Sequence, residues 1–181
     1  FDKSQESMDK FWQICHGAIA EGVDALIIHG RSVKELYRDR ADWEIVSEVK
    51  RKFPHATIIG SGDLMTAETI IERISTSGLD GVIIARGAIG NPWIFNETRA
   101  LWEGRPKPKR PSLTEQGEVY LKHYEMIAET RPMLKSVRYF RKFSVGYCKN
   151  HPQRKMIQAD LIAAKSRDDL YAAAKKWFGI G

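Results

Sequence analysis

Apolar side chains in the first hundred residues follow two patterns that alternate along the chain. In one pattern they recur at intervals of three and four residues, which is typical of a helix with one buried face. In the other they form short runs without polar interruptions, which is typical of strands buried on both faces. The first pattern predicts helices near 11–19, 41–53 and 66–78, and the second predicts strands over 24–30, 56–63 and 80–87.

This alternation of helices and strands predicts an α/β fold with a parallel sheet and helical crossovers. Two architectures use such units, the doubly wound sheet and the (β/α)8 barrel, and the periodicity alone leaves both open. In either architecture the chemistry is expected at the C-terminal ends of the strands.

Polar residues and glycines follow each predicted strand. The three strands end in His29-Gly30-Arg31, Gly60-Ser61-Gly62-Asp63 and Ala85-Arg86-Gly87. Glycine lets a backbone approach a ligand closely, and successive amides at such turns bind anions. Barrels often hold a phosphate after their last two strands. If 56–61 and 81–86 are those two strands, one phosphate group is expected between Ser61, Gly62 and Asp63 on one side and Ala85 and Arg86 on the other. The structural alternative is a set of ordinary turns, with His29 as a hydrogen-bonded strand-end histidine and Asp63 as a helix cap.

Residues 105–181 form a different kind of segment. The stretch RPKPKRPSL at 105–113 contains three prolines and four basic residues, which predicts a stiff linker. Four helices are predicted beyond it, over 114–129, 133–149, 155–164 and 168–178. We therefore expect an α/β domain over 1–104 and an all-α helical domain over 105–181.

The two parts of the chain differ in charge. Residues 1–100 carry 12 basic and 15 acidic side chains, whereas residues 101–155 carry 13 basic and 5 acidic ones. A helix over 133–149 would have an apolar stripe made of Met133, Val137, Phe140, Ser144 and Tyr147. Its opposite side would carry a basic ridge made of Lys135, Arg138, Lys142 and Lys149. Such a ridge fits phosphate contacts along a nucleic acid, and the alternative is a solvated helix face.

Composition excludes several classes of protein. No apolar run approaches the ~20 residues that a membrane helix needs, so no membrane partner is expected. Cys15 and Cys148 are too few and too far apart for a disulfide framework or a metal site, which indicates a reducing, cytoplasmic compartment. The chain begins with Phe1, so we expect it to be part of a longer protein.

Four stretches of the sequence together resemble the flavin-dependent tRNA-dihydrouridine synthases. They are IIHGRS (27–32), GSGDLMTAE (60–68), ARGAIGNPWIF (85–95) and MLKSVRYFRKF (133–143). The resemblance implies a partial (β/α)8 TIM barrel, containing only the C-terminal strands and helices, followed by an all-α helical domain that binds tRNA.

The resemblance also implies a reaction and a set of roles. The parent enzyme would reduce the C5–C6 bond of uridine in tRNA, with FMN as cofactor and NADPH as electron donor. The FMN phosphate would be bound by Ser61, Gly62, Asp63, Ala85 and Arg86, and His29 would lie beside the flavin ring. Many members of the family have asparagine where Ser61 stands, a change that a backbone contact tolerates.

One departure from the family concerns catalysis. The family's catalytic cysteine and flavin-contacting lysine have no counterpart here, since Cys15 lies in an amphipathic helix and Cys148 ends the basic helix. We therefore assign no catalytic residue and expect the chain alone to be inactive. A half barrel would also leave an open sheet edge and exposed apolar strand faces, which favours self-association. Two alternatives are a non-enzymatic RNA-binding helical module and another phosphate-binding barrel that acts on a sugar phosphate.

Overall fold

A computed structural model describes residues 4–32 and 39–181, apart from the side chains of residues 133 and 134. The chain divides into two compact units. The first comprises Phe1–Ala88 with Ile94–Lys107, and the second comprises Ile89–Trp93 with Pro108–Gly181. The predicted α/β character is confirmed, with one small parallel sheet and many helices.

The first unit consists of α-helices and a three-stranded parallel sheet in the order β1-β2-β3. Its elements are α1 (Gln5–Ala20), β1 (Leu26–His29), α2 (Trp43–Lys52), β2 (Ile58–Ser61), α3 (Ala67–Ser77), β3 (Gly81–Ile83) and α4 (Ile94–Trp102). In the sheet, His29 pairs with Ser61, and Ser61 pairs with Ile83. The C-terminal ends of all three strands therefore lie at one edge.

The ends of α3 follow the signals in the sequence. The hydroxyl of Thr66 accepts a hydrogen bond from the Thr69 amide, which caps the first turn. Gly78 ends the helix in the left-handed conformation, with φ of 68°. Both were predicted. The carboxylate of Asp42 caps α2 in the same way, by accepting from the amides of Glu44 and Ile45.

The prediction that the strands are buried on both faces is wrong for the described part of the chain. Ile28 and Ile58 face the helices and are buried in the core of the first unit. On the other face of the sheet, Ile27 is 60% exposed and Ile83 is 40% exposed. This second face is also apolar, which is why the strand sequences are continuous apolar runs, but no described residue covers it.

Helix α4 has no counterpart among the predicted elements. It begins two residues after Pro92, and its Ile94 and Ala100 are buried in the first unit. It packs against α3, so it extends the helical layer on the covered side of the sheet.

The second unit has four helices, as predicted. They are α5 (Leu113–Ala128), α6 (Met133–Cys148), α7 (Arg154–Ala163) and α8 (Arg167–Phe178). Their core is rich in aromatic side chains, including Tyr120, Tyr124 and Phe140. The two buried tyrosine hydroxyls are satisfied within that core, since Tyr120 bonds to Ser144 at 3.0 Å and Tyr124 bonds to Ser136 at 3.3 Å.

Candidate functional site

One cleft lies at the edge of the sheet where the three strands end. Its volume is about 70 Å³, and it is lined by nine residues. Six of them are the residues that the sequence singles out: His29, Ser61, Gly62, Asp63, Ala85 and Arg86. The others are Leu64, Met65 and Ile83. The parallel register thus brings together residues from three separate stretches of the sequence.

The turns after β2 and β3 approach each other closely at glycine. A Cβ atom on Gly87 would lie 2.1 Å from the carbonyl oxygen of Leu64, so no larger residue fits there without movement. Gly62 adopts φ of 141°, a conformation that L-residues rarely take, and a Cβ on it would lie 2.4 Å from Cβ of Ala41. The buried indole Nε1 of Trp43 donates to the Gly62 carbonyl at 3.1 Å, which fixes the turn further.

The carboxylate of Asp63 binds two arginines and one amide. Its Oδ2 accepts from Nη2 of Arg31 at 2.5 Å and from the Ala41 amide at 2.9 Å, and its Oδ1 accepts from Nη2 of Arg86 at 2.8 Å. Partial burial raises the pKa of Asp63, but the hydrogen bonds from Arg31 and Ala41 and the two positive charges outweigh it and lower that pKa overall. The carboxylate is therefore ionised and holds both guanidinium groups in place.

Asp63 also has an unusual backbone. Its φ is 51°, in the left-handed region that only a few per cent of residues other than glycine adopt. The sequence predicts Asp63 either as part of a phosphate cradle or as a helix cap. Its carboxylate does not cap α3, since Thr66 does so; it links the turn after β2 to both arginines.

Arg31 is a residue of this site that the sequence reasoning did not select. Its side chain is only 5% exposed, and it donates from Nε and Nη2 to the carbonyl oxygen of Asp39 at 3.1 and 2.7 Å. The signal was present, since Arg31 follows His29 at the end of β1. Its link to Asp63 depends on strand pairing, which no local pattern shows.

Arg86 provides positive charge beside the cleft. Its side chain is 43% exposed, whereas Arg31 is almost fully buried. Two arginines and one aspartate leave a net positive charge at a turn rich in backbone amides. This combination can bind a small anion such as a phosphate group.

His29 is held by the neighbouring strand. Its Nδ1 lies 3.1 Å from the carbonyl oxygen of Ser61 and 3.3 Å from the Ser61 hydroxyl. Nδ1 can donate to the carbonyl in one tautomer and accept from the hydroxyl in the other, so the ring is held against Ser61 in either tautomer. The ring is exposed at the cleft.

The predicted basic ridge lies on an exposed face of α6 and at its end. Lys135, Arg138, Lys142 and Lys149 are all exposed. The predicted apolar stripe is buried at Val137, Phe140, Ser144 and Tyr147, while the side chain of Met133 lies outside the described residues. Within residues 4–32 and 39–181, none of the ion pairs found involves a residue of the ridge.

The two cysteines lie in hydrophobic cores. Cys15 is 2% exposed and Cys148 is fully buried, and neither forms a disulfide. Burial raises the pKa of Cys15, and it raises that of Cys148 to about 11. Reactive cysteines have a lowered pKa and partial exposure, so both thiols have the properties of packing residues.

The described residues contain neither a cluster of metal-ligating side chains nor a helix that could span a membrane. In the ranges 4–32 and 39–181, no three His, Cys, Asp or Glu side chains are grouped so that they could hold a metal ion. Nor does that part of the chain contain a helix whose length and hydrophobicity would let it cross a membrane.

Comparison with known proteins gives one consistent result. The family model described as dihydrouridine synthase (Dus) matches residues 2–176. A Mycobacterium tuberculosis strain H37Rv protein named "Probable tRNA-dihydrouridine synthase" is 33% identical over 153 residues, covering 84% of this chain and 39% of that protein. A Mycobacterium leprae protein of the same name is 31% identical over 153 residues, covering 84% and 40%. A Rickettsia conorii protein, again of that name, is 32% identical over 114 residues, which cover 62% of this chain and 34% of that protein. The chain spans about two fifths of the length of the first two relatives.

Proposed function

The chain belongs to the dihydrouridine synthase family, and from this premise we propose that it is the C-terminal part of an FMN-dependent tRNA-dihydrouridine synthase. The complete protein reduces the C5–C6 bond of uridine in tRNA and takes its electrons from NADPH. The single observation that carries the proposal is the cleft after β2 and β3, where two amide-rich turns and Arg86 meet.

The cleft fits the phosphate end of a flavin and not the whole cofactor. Its volume of about 70 Å³ is well below the ~300 Å³ or more that sites for whole small-molecule ligands have. The turns at Ser61, Gly62 and Asp63 and at Ala85 and Arg86 would bind the phosphate, and the guanidinium of Arg86 would neutralise part of its charge. The rest of the cofactor would extend over the exposed face of the sheet.

Each residue at the cleft has a role in this proposal. When bound, FMN supplies hydride transfer to the uracil ring. The protein binds and orients the cofactor, which is why rigid turns at Gly62 and Gly87 and the clamped Arg86 matter. His29, which the Ser61 carbonyl holds in one orientation, lies beside the flavin and donates or accepts a hydrogen bond there.

The fold proposal follows from the uncovered face of the sheet. Parallel strands with helices on one side only, and apolar side chains such as Ile27 and Ile83 on the other, match one sector of a (β/α)8 barrel. We assign residues 1–104 to that sector and residues 105–181 to a helical tRNA-binding domain. A chain of these 181 residues alone would expose this face, so we expect it to self-associate and to be inactive.

The second unit is the proposed binding site for tRNA. Its ridge of Lys135, Arg138, Lys142 and Lys149 is exposed, and none of the ion pairs of the described residues joins a ridge residue to a carboxylate. Such a surface binds the phosphate backbone of RNA without reading its sequence. In the proposal it holds tRNA while the target uridine leaves its stack to reach the flavin.

The test compares two cofactors that differ only in the phosphate group. The complete protein is titrated with FMN and with riboflavin, and binding is followed by flavin fluorescence. The proposal predicts that FMN binds much more tightly, and that Arg86→Gln reduces this preference. Arg51→Gln is the matched control, because Arg51 also pairs with a carboxylate, Glu44, but lies on α2 away from the cleft. Equal affinity for the two cofactors, or no flavin binding at all, would contradict the proposal.

A further inference from the structure

Two cations lie over one aromatic ring on the exposed side of α6. The guanidinium carbon of Arg131 lies 3.9 Å from the centroid of the Tyr139 ring, and Nζ of Lys142 lies 3.7 Å from it. Both distances are well inside the ~6 Å at which a cation is attracted to a ring face. Tyr139 therefore holds together two positive charges, one just before α6 and one within it.

The phenol of Tyr139 responds to these charges. A hydrogen bond from Lys142 and the charge of Lys142 lower the pKa of Tyr139, and Arg131 adds to this effect. The contact of Lys142 with the ring face limits the rotation of the lysine side chain.

The positive charge of this cluster is not balanced by a carboxylate in the described structure. None of the ion pairs found within residues 4–32 and 39–181 involves Arg131 or Lys142, and no Asp or Glu occurs between Glu129 and Asp160. A similar cluster on α8 differs in this respect. Lys176 lies 4.6 Å from the centroid of the Trp177 ring, but it also pairs with Asp160 at 2.8 Å.

We propose that Arg131 and Lys142, held on the ring of Tyr139, form a clamp for the phosphate backbone of RNA. The proposal rests on the proposed tRNA-modifying function and extends the basic ridge by two residues, Arg131 and Tyr139. Arg131 contacts phosphate directly, whereas Tyr139 is a positioning residue. The ring itself does not stack on a base, because the two cations lie over it and a base would have to displace them.

By fixing the two cations, Tyr139 would also increase their affinity for a phosphate group. Arg and Lys side chains lose rotational freedom when they bind a phosphate, and a cation that is already fixed loses less. Two fixed cations at one ring therefore bind an RNA backbone more tightly than two mobile ones on the same helix face.

The experiment measures RNA binding by the complete protein at two salt concentrations. Fluorescence anisotropy is recorded with tRNA and with an unrelated RNA duplex, at about 50 and about 200 mM salt, between which each phosphate contact accounts for roughly a threefold loss of affinity. Arg131→Gln should weaken binding to both RNAs and reduce the loss on adding salt by about that factor. Tyr139→Leu should act in the same direction although it removes no charge. Lys176→Gln, the matched control on α8, should change neither quantity.

A double-mutant cycle separates the clamp from a simple sum of charges. If Tyr139 positions Arg131, then Arg131→Gln has a smaller effect in the Tyr139→Leu background than in the wild-type protein. Additive effects, or no effect of Arg131→Gln, would overturn the clamp while leaving the proposed function intact. A Tyr139→Leu effect confined to RNA with unpaired bases would show base stacking and also overturn it. If the wild-type protein does not bind tRNA at all, both the clamp and the proposed function are contradicted.

Discussion

Replacing Asp63 by asparagine tests whether this carboxylate positions the arginines at the cleft. Asparagine keeps the shape of the side chain but removes the charge that holds Arg31 and Arg86. Counting charges alone predicts that FMN then binds more tightly, because a negative group near its phosphate is gone. The positioning role predicts the opposite sign, because Arg86 loses its anchor.

The structure gives the size of the effect. Breaking an exposed ion pair costs at most about 1 kcal/mol, whereas breaking a buried one costs about 3–5 kcal/mol. The pair that positions Arg86 is an exposed one, since the side chain of Arg86 is 43% exposed and that of Asp63 is 33% exposed. We therefore expect the binding free energy of FMN to fall by at most about 1 kcal/mol, which corresponds to a roughly fivefold increase in its Kd. The cost of breaking the buried pair with Arg31 falls on the free energy of unfolding instead.

The assay is a fluorescence titration of the complete protein with FMN. Asp80→Asn is the matched control, because Asp80 also accepts from a cation and an amide, those of Lys50 and Ile58, at the opposite edge of the sheet. It should leave the FMN affinity unchanged. Unchanged or tighter binding by Asp63→Asn would refute the positioning role.

The same variant predicts a dependence on pH. The folded-state pKa of Asp63 is lowered, so its stabilising effect is present above the unfolded-state pKa, which is about 4. The effect is lost as the pH falls through the lower folded-state value. The difference in unfolding free energy between wild type and Asp63→Asn should therefore shrink in this acidic window. A difference that stays constant down to that window would show that the charge of Asp63 does not contribute.

Two further predictions concern the glycine contact and the thiols. Gly87→Ala should separate the turns after β2 and β3 and weaken FMN binding, because its Cβ would meet the Leu64 carbonyl. Gly81→Ala is the control, since its Cβ would enter open space, and it should bind FMN normally. Equal effects of the two variants would contradict the close contact. Cys15 and Cys148 should resist alkylation at neutral pH until denaturant is added, because both are buried and their pKa values are raised; labelling of the native protein would show that the cores open.

Much of the fold could be predicted from local signals. Thr66 and Gly78 mark the ends of α3 in the sequence, and the apolar spacing locates the four helices of the second unit. The apolar pattern alone does not reveal the exposed face of the sheet, because Ile27 and Ile83 are as apolar as side chains that helices cover. The expectation of exposed strand faces came from the half barrel that the family resemblance implies. The apolar spacing does not predict α4, because only Ile94 and Ala100 of its nine residues are buried.

The residues of the candidate site could be predicted from the sequence, but the hydrogen bonds between them could not. The six residues at the strand ends lie at one cleft because parallel strands place them at the same edge. The link from Asp63 to Arg31 and Arg86 joins three strand ends, so no local pattern contains it. Arg131 was not selected because it precedes the first residue of α6, so the helical spacing that defines the ridge does not include it.

The most direct test of the central claim is a crystal structure of the complete protein with FMN. We expect the phosphate to lie in the cleft between the turns at Gly62 and Arg86, with amide nitrogens about 2.9 Å from its oxygens. A phosphate bound elsewhere, with this cleft closed or filled by solvent, would contradict the proposed FMN site.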